Sequence, residues 1–228
     1  MIQRRLTNLQ IGMMWMNLQE KLFNPSGIYA ITPTYIFKNE LLDAVAATLE
    51  SEIKLIQYRF ESEISFEEKY ETAKKIQSMC NEKKATLVIN NDHRIAELIG
   101  CGLHIGQDVK DTNFLKDKKN ISFIGLSCKD KPDNQTRNDA RMFSYYSFGP
   151  IFESKTKKNA SGPIDIAKVS SKMNKDKLNV AIGGISEINL RLVKQNKFNM
   201  AAICDGIYND PKKIKVNCQK LIEIWNEN

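Results

Sequence analysis

The feature that most constrains this chain is a rhythm. From Gly27 onward, short runs rich in β-branched and aromatic residues alternate with stretches of helical periodicity, about eight times over. The β-rich runs fall at 28–32, 53–58, 86–89, 102–105, 121–126, 142–148, 179–182 and 199–203. Helical patterns occupy 39–50, the segment after Ser65, 92–99, 111–116, 133–141, 164–173, 187–195 and 211–225. Leu41, Leu42, Val45, Ala46 and Leu49 mark the apolar face of the first, and Ser65 with Glu68 has the spacing of a capping box. Parallel strands need long crossovers, so strict alternation predicts a parallel sheet with helices outside it. About eight units in 228 residues predict one α/β domain, a single (β/α)8 TIM barrel over 27–228, rather than an open doubly wound sheet. Residues 1–26 read as an N-terminal extension, expected to add a helix outside the barrel or against a partner subunit of a homo-oligomer.

Composition narrows the function. No apolar run approaches the roughly 20 residues that cross a bilayer, so no membrane partner is expected. Five cysteines, none in a C-x-x-C pair, suit neither a disulfide framework nor a zinc knuckle and point to a reducing, cytoplasmic setting. The net charge of +7 is spread over helix faces (Lys74, Lys75, Lys83, Lys84) without interleaved aromatics. That argues against nucleic acid and leaves anionic small molecules as the partners for a few of these cations.

In a parallel α/β fold, function collects where strands end. The second run ends in Gln57-Tyr58-Arg59, and alternation sends Gln57 and Arg59 toward the mouth, with Tyr58 on the other face. A guanidinium offers a planar fork to phosphate and an amide can read a heterocycle's nitrogens. The third ends in Asn90-Asn91-Asp92, which reads either as a helix cap or as an amide plus oxygen ligands for Mg²⁺. His104, inside the fourth run, reads as a hydrogen-bonded core residue, and His93 as a surface one. The loop from Gly149 to Lys158 gathers Ser154, Thr156 and Lys157, donors suited to an oxyanion or equally to a solvated loop. Gly183-Gly184 and Cys204-Asp205-Gly206 follow the seventh and eighth runs, where barrels commonly hold a phosphate.

Taken in order, several segments resemble the thiamine-phosphate synthase family. They are Ile28-Tyr29-Ala30-Ile31-Thr32, Gln57-Tyr58-Arg59, Val88-Ile89-Asn90-Asn91-Asp92 and Leu103-His104-Ile105-Gly106-Gln107. The series continues with Ile124-Gly125-Leu126-Ser127, Phe148-Gly149-Pro150-Ile151-Phe152 with Thr156-Lys157, and Ala181-Ile182-Gly183-Gly184-Ile185. The resemblance spans roughly 27–225. It implies a transferase of thiamine biosynthesis that joins an aminopyrimidine methyl diphosphate to a thiazole phosphate, with Mg²⁺ as cofactor and pyrophosphate released. Carried over by position, Gln57, Arg59, Asn90, Ser127 and Lys157 hold the pyrimidine diphosphate, with Tyr58 beside them. Ser154, Thr156, Gly183, Gly184, Cys204 and Asp205 hold the thiazole phosphate. Arg59, Lys157 and Ser127 are the catalytic candidates, and Asn91, Asp92 and Asp108 the metal candidates.

Four positions depart from the family pattern: Glu61 where Lys is usual, Asn91 and Val109 at two metal aspartates, and Asp205 in place of Ser at the last phosphate loop. They keep open a degenerate paralogue that binds a phosphorylated ligand without turnover. A thiazole tautomerase-like isomerase is a further alternative, although Ser127-Cys128-Lys129-Asp130 lacks the His typical of that group.

Overall fold

The computed structural model describes residues 27–60, 63–107, 109, 113–116, 120–130, 142–153, 162–173 and 175–227. Its strands are β1 (Gly27–Ile31), β2 (Leu55–Tyr58), β3 (Thr86–Asn90), β4 (Gly102–Ile105), β5 (Ile124–Cys128), β6 (Tyr145–Phe148), β7 (Leu178–Ile182) and β8 (Met200–Ile203). All neighbours are parallel, and β8 returns to pair with β1, closing the barrel in sequence order. The helices are α1 (Lys38–Glu50), α2 (Phe66–Glu82), α3 (His93–Ile99), α4 (Ile166–Ser170), α5 (Leu190–Gln195), α6 (Asp205–Tyr208) and α7 (Ile214–Asn226). The extension over 1–26 and the helix predicted over 133–141 lie outside the described residues.

Side-chain alternation sorts the core into two layers. Tyr29, Leu55, Val88, Phe123, Tyr145, Val180 and Met200 fill the barrel interior. Their strand neighbours Ala30, Ile56, Ile89, Tyr146, Ala181 and Ala201 face outward, where the helices cover them. Burying each large apolar side chain is worth about 1.5–3 kcal/mol, which makes this double layer the main source of stability. The register sets Gln57 beside Val88, Asn90 beside His104, and Ser127 beside Ser147.

Several boundaries differ from expectation for identifiable reasons. β5 runs from Ile124 to Cys128 rather than over 121–126, so Ser127 belongs to the strand and not to the loop after it. The apolar run that suggested an earlier start places Phe123 inside the barrel, where Gly102 leaves room for its ring. β6 begins at Tyr145 rather than at 142, because Phe143 packs on Tyr146 in the outer layer ahead of the strand. α4 covers only Ile166–Ser170, capped by the Asp165 carboxylate on the N–H groups of Ala167 and Lys168. Asp92 is the cap of α3 and not its first residue, accepting from Ile95 N–H at 3.2 Å. The four-residue α6 supplies the short helix that barrels commonly carry after their last strands, although no helical periodicity marked it.

Candidate active site

The floor of the barrel mouth is built from the inner layer upward. Tyr29 and Tyr145 meet edge to face, ring centroids 6.0 Å apart, and His104 stacks on Tyr145 at 5.7 Å. Gly125 makes this arrangement feasible, since a Cβ there would lie 1.8 Å from the Tyr145 ring. Hydrogen bonds then join four buried side chains. Gln57 Nε2 donates to the Tyr29 hydroxyl at 2.7 Å, the two tyrosine hydroxyls lie 3.0 Å apart, and the Tyr145 hydroxyl is 2.9 Å from His104 Nδ1. Burial pushes both phenols well up and drops the imidazole to about 4, so all three groups are neutral near pH 7. His104 is therefore the hydrogen-bonded core residue expected of it, and Tyr29 and Tyr145 are site-floor residues that went unrecognised. The alternation signal for Tyr29 was present, two positions before Ile31 on the same face.

One step up the strands, Arg59 follows β2. Its main chain is held by Thr32, whose hydroxyl donates to the Arg59 carbonyl at 3.2 Å and accepts from the Arg59 N–H at 2.9 Å. Two strands round the ring, beyond β1, Cys204 follows the end of β8. Burial pushes its thiol up to about 12, against an opposing pull from the nearby Arg59 charge. Tyr58 does not join this group. Its ring lies in the outer layer, edge to face with Phe60 and bonded to Thr72, so of the β2 candidates only Gln57 and Arg59 reach the mouth side.

Beyond β3, Asn90, Asn91, Asp92, His93, Arg94 and Phe60 line an open depression of ≈ 600 Å³. Asn90 ends its strand half-buried. Asn91 adopts a left-handed conformation (φ 62) and accepts the Gly106 N–H at 2.7 Å, tying the β3 loop to the β4 loop. Asp92 has one oxygen on its helix cap and 3.8 Å from Arg94 Nε. Val109 packs against the outer layer. Among the described residues, no three His, Cys, Asp or Glu side chains form a cation cage. The donors present suit Mg²⁺ only as an ion shared with a ligand's phosphates, because Mg²⁺ commonly takes one or two carboxylates and completes its shell with phosphate and water. Asp108, Glu61, Ser154, Thr156 and Lys157 lie outside the described residues.

The far side of the mouth is backbone. The loop after β6 folds over the β7 turn, with Ile151 N–H donating to Ile182 and Phe152 N–H to Gly183. Gly183 and Gly184 have φ of 99 and 64, and a Cβ on Gly184 would sit 2.2 Å from the Glu153 carbonyl oxygen. Next to this turn stands the N-terminus of α6, whose first N–H groups have no intrahelical acceptor. Asp205 is exposed there, its carboxylate 3.4 Å from the Tyr35 hydroxyl. On β5 and β6, Ser127 and Ser147 sit side by side on the inner face. The Ser147 hydroxyl, also missed in the sequence, is buried without a partner among the described residues.

Residues 28–207 match the family model described as thiamine monophosphate synthase. The chain belongs to that family. The thiamine-phosphate synthase of Nitrosococcus oceani is 32% identical over 190 residues, covering 80% of this chain and 85% of that one. That of Caldicellulosiruptor saccharolyticus is 29% identical over 212 residues, covering 90% and 92%. Among solved structures, the thiamine phosphate pyrophosphorylase of Pyrococcus furiosus has a TM-score of 0.74 at 21% identity, covering 92% of this chain and 98% of its own. That last likeness is one of fold. Membership in the thiamine monophosphate synthase family makes the chain a transferase of thiamine biosynthesis, and no described helix is long and apolar enough to cross a membrane.

Proposed function

We propose that this chain condenses 4-amino-2-methyl-5-hydroxymethylpyrimidine diphosphate with 4-methyl-5-(2-hydroxyethyl)thiazole phosphate. The observation that carries the reading is the pairing of Gln57 and Arg59 at one rim of a family-typical mouth, each fixed by a buried hydroxyl. Gln57 and Asn90 receive the pyrimidine, while Arg59, Ser127 and Lys157 receive its diphosphate. The glycine turn at 183–184 and the start of α6 receive the thiazole phosphate, with Ser154 and Thr156.

The reaction breaks the carbon–oxygen bond between the pyrimidine's methylene and the diphosphate, and the electron pair leaves with pyrophosphate. The methylene cation is stabilised by its ring until the thiazole nitrogen's lone pair forms the new carbon–nitrogen bond. The protein's own work is positioning and electrostatics: the Arg59 fork binds the leaving oxygens, and the buried floor excludes water from the cation. Asp92 and Asp108 would hold Mg²⁺, which would supply positive charge to the departing diphosphate.

The test is direct. Purified protein with both precursors and millimolar Mg²⁺ is expected to release pyrophosphate and accumulate thiamine phosphate. No product under these conditions sinks the reading, and metal-independent pyrophosphate binding without turnover would mark a binding paralogue instead.

A further inference from the structure

The hydrogen-bonded line Gln57–Tyr29–Tyr145–His104 has a direction. Each tyrosine has one O–H proton to give, and both phenols keep it because burial disfavours the phenolate. Gln57 Nε2 can only donate, so the Tyr29 oxygen accepts from it. If Tyr145 also donated to Tyr29, the Tyr29 proton would have no acceptor among the described residues, an unfavourable state for a hydroxyl that is 1% exposed. With the amide nitrogen on Tyr29, the arrangement that satisfies every member runs one way. Gln57 donates to Tyr29, Tyr29 to Tyr145, and Tyr145 to His104 Nδ1. A neutral imidazole can accept at Nδ1 while carrying its own proton on Nε2.

The same placement of the amide nitrogen sets the other end of the side chain. With its NH2 tied to Tyr29, the planar Gln57 side chain turns its carbonyl oxygen to the opposite side. We propose that His104, Tyr145 and Tyr29 are positioning residues that hold the Gln57 carbonyl toward the ligand, so that the mouth selects a heterocycle bearing an N–H donor. On the function proposed above, on which this inference rests, the donor is the exocyclic amine of the pyrimidine. A ring with a carbonyl at that position would oppose oxygen to oxygen.

Two measurements on the full chain test this. Nitrogen-15 NMR of the histidines is expected to show His104 as the Nε2–H tautomer, with an acceptor-type Nδ1, unchanged from about pH 6 to 8. The Nδ1–H tautomer would reverse the line and overturn the proposal. The second measurement is discrimination between the 4-amino and 4-oxo pyrimidine diphosphates, read as the ratio of kcat/KM and, independently of turnover, as the ratio of Kd by calorimetry. Tyr145→Phe is expected to lower the amino preference about tenfold, the scale of one hydrogen bond, with the loss in KM rather than kcat. An unchanged ratio refutes it, since a merely structural role would affect both substrates alike. Tyr29→Phe breaks the same line one link nearer Gln57 and serves if the first variant does not fold. A wild type that binds and discriminates the two rings without turnover counts against the synthase reading and leaves this one standing.

Discussion

Thr32 grips Arg59 by its backbone from both directions, donating to its carbonyl and accepting from its N–H with one hydroxyl. The main chain that carries the guanidinium proposed to bind the diphosphate is thus anchored by a residue with no exposure of its own. Thr32→Val keeps the shape and removes both bonds. It is expected to reduce stability by about 1–3 kcal/mol in urea unfolding and to raise KM for the pyrimidine diphosphate more than KM for the thiazole phosphate. Equal effects on the two substrates would show that Thr32 serves packing alone.

Tyr35 restrains the carboxylate of Asp205. Burial first, then Cys204 and Asp205, push its phenol up to about 12, so it stays a donor across the working pH range. Tyr35→Phe is expected to raise KM for the thiazole phosphate roughly threefold by freeing a negative charge beside the α6 N-terminus. Asp205→Asn in the same background is expected to cancel the increase. If it does not, the hydroxyl acts on the ligand directly.

His104 makes stability depend on pH with a definite sign. Its folded pKa of about 4 lies below the ordinary histidine value, so the folded state binds fewer protons than the unfolded one between the two. The stability is fully present above about pH 6.5 and falls as pH drops toward 4, by up to roughly 3 kcal/mol. Urea unfolding at several pH values should show this slope in the wild type and a shallower one in His104→Gln. Parallel slopes would assign it to other groups.

Gly184→Ala should be among the most damaging single-methyl changes. The new Cβ meets the Glu153 carbonyl oxygen at 2.2 Å on a backbone already at φ 64. A loss of roughly 1–3 kcal/mol is expected, with weaker binding of the thiazole phosphate as the 149–153 loop moves away. Thermal denaturation and phosphate titration would measure the two effects, and a wild-type melting temperature would contradict the first.

Much of this molecule was legible in its sequence, and the limits are physical. Alternation within 55–58 was enough to send Gln57 inward, because a strand's period is a local property. The same rule read from Tyr29 would have reached the floor of the mouth. What no local pattern holds is which buried hydroxyl meets which: Tyr29 and Tyr145 are 116 residues apart, and Tyr35 and Asp205 are 170 apart. Which way Asp205 points could not be read from its own loop, because its partner Tyr35 stands on the β1 side of the mouth. Asn91 read as a substituted metal ligand. The structure gives its oxygen a local task on Gly106, which neighbouring sequence could hint at only through the glycine.

The pairing of β8 with β1 has one more consequence. A sheet that closes on itself has no unpaired edge, so no row of free N–H and C=O groups awaits another chain. A second copy cannot extend this sheet or exchange a strand with it without first opening the ring. Assembly of this barrel through its strand edges is therefore closed off, and copies can meet only through surfaces outside the sheet.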